Sequence, residues 1–200
     1  MKKNTKQRLF EVMSRLDPSF KRLNENLTNN DIIFNKLVIS NDDILLMVKG
    51  YLKAGFEATI YDFEDDIRYY GDDDMGGELY ENVDFQKSII GLLEDYLKKL
   101  ETTPITIFLN TYVENNTKNT IVSDIKTFIE NSGENAIYEA VKLKGYEELG
   151  YDLYMTRNNN YNPFIDKNYV DSDILIQSAK DLGRKEIIIH HETGSIVNYP

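Results

Sequence analysis

The apolar positions after residue 40 repeat one order: helix, stop, strand. Ile44, Leu45, Val48 and Leu52 share a helical face, and Ser40 or Asn41 caps that helix with Asp42 and Asp43 in its first turn. Gly55 reads as its end, and residues 56–63 (FEATIYDF) read as a strand in which Phe56, Ala58 and Ile60 alternate with Glu57, Thr59 and Tyr61. Asp84 precedes a longer helix carrying Phe85, Ile89, Leu92, Leu93, Tyr96 and Leu100. Pro104 restarts the chain, and residues 105–113 (ITIFLNTYV) predict a second strand. Ile121, Ile125, Phe128 and Ile129 mark a helix ended by Gly133; Ile137, Ala140, Val141 and Leu143 mark another, ended near Gly145 or Gly150. Residues 151–156 (YDLYMT) follow as a strand. Ser172 caps a last helix with Leu175, Ala179 and Leu182, stopped by Gly183, before a strand over 186–191 (EIIIHH) with which 195–199 pairs. An apolar run at 36–40 adds one more strand.

Helices alternating with strands predict an α/β fold, a parallel or mixed sheet covered by helices. The wetter face of FEATIYDF keeps a mixed sheet covered on one side in competition. Ahead of this body, Leu9, Phe10, Met13 and Leu16 fall at helical spacing over residues 5–16, with Thr5 as the cap and Asp17-Pro18 as the stop. The polar, Asn-rich residues 24–30 read as a tether. The expected organisation is therefore an amphipathic helix and tether over 1–30 and a single acidic α/β domain over 31–200. Lys49-Gly50-Tyr51 with Gly55-Phe56 also echoes Lys144-Gly145-Tyr146 with Gly150-Tyr151 at identical spacing. Recurrent helix-end chemistry and an ancient duplication both produce such an echo.

Composition narrows the chemistry. The 200 residues are 41% hydrophobic and 12% aromatic, enough for a packed core in one domain. The absence of cysteine excludes a disulfide framework, a thiolate metal site and a cysteine nucleophile. No apolar run reaches the ~18 residues that span a bilayer, and no apolar core follows the basic start as in a signal peptide. A cytoplasmic protein is the expectation. The abundance of Asn, Ile, Lys and Tyr over Ala, Arg, Pro and Trp implies an AT-rich coding sequence.

The net charge of -11 is unevenly placed. Residues 1–30 hold seven bases and three acids, net +4, so residues 31–200 carry -15. Residues 62–84 alone hold ten acids against Arg68. This field opposes direct nucleic-acid binding, which needs a basic footprint.

The acidic stretch invites a metal reading. Counting Asp72 as position 1 of a calcium loop puts Asp74 at 3 and Gly77 at 6, but Gly76 at 5 and Val83 at 12, where ligands belong. The EF-hand pattern fails. A looser divalent-cation site through Asp62, Asp72 and Asp74 remains, against a solvated acidic loop. Asp62 also follows an expected strand, where aspartyl-phosphate phosphatases place a nucleophile, yet Glu64 and Asp66 break their motif. In a parallel sheet Asp62, Asn110 and Arg157 would share one rim. Adjacent His190 and His191 point to opposite faces of a strand and do not chelate one metal easily. Tyr161, Phe164 and Tyr169 in the 157–170 segment are either recognition residues or anchors to the core.

Residues 4–21 (NTKQRLFEVMSRLDPSFK), then Leu23-Asn24-Glu25, resemble a leader found on otherwise dissimilar, uncharacterised bacteriophage proteins. The resemblance covers residues 1–27 only. It implies a portable helix that docks its passenger to a shared protein partner, with Leu9, Phe10, Met13 and Leu16 as anchors and Arg8 and Arg15 on the rim. The expected function is a non-enzymatic phage accessory or virion-associated protein in the host cytoplasm or the virion. Two other readings stand beside it: a divalent-metal-dependent hydrolase or phosphotransferase using the acids at 62–74, and an acidic mimic of nucleic acid that inhibits a host protein.

Overall fold

A computed structural model describes residues 31–70, 78–158, 161–190 and 193–199. The expected leader helix, with Leu9, Phe10, Met13, Leu16, Arg8 and Arg15, lies outside the described residues, as do Asp72 and Asp74.

The described chain is mostly helical, and this overturns the expected α/β architecture. Its order is β1 (Ile32–Ile33), β2 (Val38–Ile39), α1 (Asn41–Tyr70), α2 (Glu78–Thr102), α3 (Ile105–Tyr112), α4 (Asn115–Asn158), α5 (Pro163–Asp166), α6 (Ser172–Asp181), β3 (Glu186–Ile189) and β4 (Ile196–Tyr199). The strands form two separate antiparallel pairs, β1 with β2 and β3 with β4, and among the described residues no parallel or mixed sheet lies under the helices.

Three expected strands are helical. FEATIYDF belongs to α1, because Val48, Leu52, Phe56, Ile60 and Phe63 continue one apolar stripe at steps of three and four. Phe56 and Ile60 satisfy a strand period and a helix period alike; the turns before them decide. Gly55 is no terminator. A Cβ there would sit 2.8 Å from Ile187, so its lack of a side chain lets β3 cross the helix. Residues 105–112 form α3, burying Phe108 and Leu109 despite the β-branched Ile105-Thr106-Ile107. Only Val113 behind them is extended, and it bridges to Ile196 in parallel. Residues 151–156 lie in α4, with Leu149 and Leu153 stacked one turn apart in the core.

Other readings survive in part. Ser40 caps α1: its Oγ accepts from the Asp43 N–H at 3.2 Å, and Asp43 Oδ2 accepts from the Ser40 N–H at 2.8 Å, a reciprocal capping box. α4 departs from helical geometry at Gly133 (φ +76°) and Gly145 (φ +82°), so it is three helical segments, 115–132, 134–144 and 146–158. Gly183 (φ +70°) ends α6, and β3 pairs with β4 from Glu186↔Tyr199 to Ile189↔Ile196. The core lies chiefly between α1 and α4, around Tyr51, Phe56, Phe108, Phe128 and Phe164. α1 and the 146–158 segment meet backbone to backbone at Gly50 and Gly150.

Candidate functional site

Two groups of ionisable side chains stand beside that crossing. The first is internal and centres on Arg157, whose side chain is fully buried. Its Nη1 donates to Asp124 Oδ2 at 2.8 Å and to the Tyr51 hydroxyl at 3.0 Å. Nη2 donates to the Leu182 carbonyl at 2.9 Å, and Nε donates to the Gly183 carbonyl. A cation thereby closes the C-terminal end of α6, where the helix dipole favours it. Lys185 adds a second contact to Asp124 at 3.3 Å, and the Asn158 side chain accepts from the Lys185 N–H at 2.7 Å. One guanidinium thus joins α1, the first and last segments of α4 and the residues that end α6. Burial pushes the Tyr51 hydroxyl pKa up, although Arg157 opposes it. Tyr154, stacked edge-on to Tyr51 at 4.9 Å, is also pushed up by burial.

The second group lines an open cleft of about 300 Å³ between α1 and the 146–158 segment. Gly50, Lys53 and Glu57 form one wall, Glu147, Glu148 and Tyr151 the other, and Lys167 closes it behind α5. These α1 residues are spaced at three and four, a single helical stripe. Lys167 binds Asp152 at 2.6 Å and Glu148 at 2.5 Å, while the Tyr169 hydroxyl donates to the other oxygen of Asp152 at 2.7 Å. Asp152 is fully buried, and burial raises its carboxyl pKa against the pull of Lys167 and Tyr169. Burial would lower Lys167, but its bonds to Asp152 and Glu148 outweigh that and raise it. Lys49 joins Glu101 at 2.9 Å and Glu147 at 3.1 Å at the cleft edge. Tyr151 donates to Glu57 at 2.8 Å, and burial and that carboxylate both raise the phenol pKa.

The expected rim of Asp62, Asn110 and Arg157 does not exist, because its premise of parallel strands fails. Asp62 is exposed on α1, Asn110 is exposed on α3 and accepts from Lys118 at 3.2 Å, and Arg157 is locked to Asp124. Burial and the nearby Glu186 and Asp66 raise the Asp62 carboxyl pKa. Among the described residues no three His, Asp or Glu side chains gather to hold a metal ion. His190 lies just past β3, exposed, with Thr193 Oγ1 3.3 Å from its Nδ1. Of the three aromatics at 157–170, Phe164 and Tyr169 are buried anchors and Tyr161 is exposed. No described helix is long and apolar enough to cross a membrane.

The cleft residues carry no motif. The one signal for them in the sequence was the glycine echo, which marks the crossing that frames the cleft. Its paired positions differ in role: Gly50 and Gly150 are close-contact glycines, whereas Gly145 is a positive-φ break. Compared with protein-family models, curated proteins and solved structures, the chain matches none.

Proposed function

We propose that this chain is a non-enzymatic bacteriophage accessory or virion-associated protein, an acidic helical domain docked to a protein partner through its N-terminal segment. The observation that carries this reading is how the described domain uses its charges. Arg157 is bound to Asp124, Lys167 to Asp152 and Glu148, and Lys49 to Glu101 and Glu147. These pairs brace helices against one another, the use expected of a rigid passenger. The acids left over give the body its -15, while residues 1–30 carry +4 and the leader-like sequence. An amphipathic basic segment beside an acidic body suits helix-in-groove docking, with Leu9, Phe10, Met13 and Leu16 as anchors.

Grafting tests it. Residues 1–27 fused to an unrelated fluorescent protein should carry that protein into phage particles, and Leu9→Asp with Met13→Asp should abolish the transfer. A graft that stays in the supernatant overturns the reading.

A further inference from the structure

α1 and the 146–158 segment part from their glycine crossing, and the cleft is the wedge between them. Two groups on its α1 wall lack a full countercharge. Lys53 and Glu57 stand one helical turn apart, a spacing that puts Cβ atoms about 6 Å from each other. Lys53 reaches Glu101 only at 3.5 Å, and both of those side chains are well exposed, so the pair is weak. Glu57 accepts from the neutral Tyr151 hydroxyl, and among the described residues no lysine or arginine pairs with it. The opposite wall is different: Glu147 is bound to Lys49 and Glu148 to Lys167.

We propose that the cleft binds a small zwitterion, a free α-amino acid, with its carboxylate on Lys53 and its ammonium on Glu57. A lone anion would leave Glu57 without a countercharge, and a lone cation would leave Lys53 only its weak contact to Glu101. A zwitterion satisfies both and adds nothing to the net charge. Tyr151 holds the Glu57 carboxylate in place before the ligand arrives, which lowers the cost of binding. Lys167, whose ammonium lies 5.5 Å from the centre of the Tyr151 ring, is already bonded to Asp152 and Glu148, so the ligand carboxylate rests on Lys53. A volume of about 300 Å³ suits a small amino acid. This inference does not depend on the docking role.

Isothermal titration of the full chain with each standard L-amino acid tests it. Saturable one-to-one binding is expected for at least one. The N-acetyl derivative and the methyl ester of that amino acid should each bind about tenfold more weakly or worse, the loss of one charge-assisted hydrogen bond. Glu57→Gln and Lys53→Met should weaken binding equally, with unchanged circular dichroism. No heat from any free amino acid overturns the proposal. So does equal binding of the blocked forms, binding that both variants retain, or tighter binding of putrescine than of every amino acid, which would make this an amine site.

Discussion

Gly50 and Gly150 each press on the backbone of the other's helix. A Cβ on Gly50 would lie 1.8 Å from the Glu147 carbonyl oxygen, and a Cβ on Gly150 would lie 2.0 Å from that of Met47. Each carbonyl belongs to the residue three positions before the facing glycine, so the contact is reciprocal. Neither obstacle can swing away, because both are main chain. Gly50→Ala and Gly150→Ala should therefore each cost about 1–3 kcal/mol or more through overpacking. Gly91 is the control: it is exposed within α2 with nothing near its missing Cβ, and Gly91→Ala should stabilise by about 0.4–1 kcal/mol. Urea denaturation of the three variants checks both signs.

Arg157→Met should destabilise by about 3–5 kcal/mol, because it strands the Tyr51 hydroxyl and the Leu182 and Gly183 carbonyls just past α6 and leaves Asp124 only its longer contact to Lys185. Arg157→Lys should rescue little, since one ammonium cannot reproduce the planar fork. A double-mutant cycle with Asp124→Asn should give a coupling of about 0.5–3 kcal/mol. Additive losses would show that the pair does not act as a unit.

Buried tyrosines contribute to the alkaline limit, beside the paired Lys49 and Lys167. Tyr51, Tyr151, Tyr154 and Tyr169 are all raised above the ordinary 10.0, chiefly by burial. A raised folded-state pKa keeps the proton on the native protein. The stability these groups contribute is intact below pH 10.0 and is lost as pH rises through their folded values. Tyrosinate absorbance, free of tryptophan interference, should show a step coincident with the loss of helical circular dichroism.

The acid side involves Glu101, whose carboxyl is held below its ordinary 4.5 by the hydrogen bond from Lys49. Its contribution is present above pH 4.5 and is lost as pH falls through the lowered value. Lys49→Met should flatten the acid limb of a stability–pH profile measured at low salt.

Much of the helical pattern was legible in the sequence. Ser40, Gly133 and Gly183 punctuate the chain as their chemistry predicts, and the β3–β4 pairing follows from residues 186–199. The strands read at 56–63, 105–113 and 151–156 were misleading for a common reason. Each is short, apolar and rich in β-branched or aromatic residues, and such segments take the structure their neighbours impose. Gly55 and Gly150 misled further, because a glycine that ends a helix and one that admits another backbone look alike in a sequence. The cleft was illegible for a different reason. Lys53, Glu57, Tyr151 and Lys167 come from distant positions and only the crossing joins them.

The docking role is tested most directly by deleting residues 1–27 and measuring thermal unfolding and particle association on the same preparation. The expected result is an unfolding transition within a few degrees of the full chain and complete loss of association with phage particles. A truncated chain that unfolds would instead make the segment part of the core, and one that still associates would place the docking surface on the domain itself. Either outcome contradicts the proposed function.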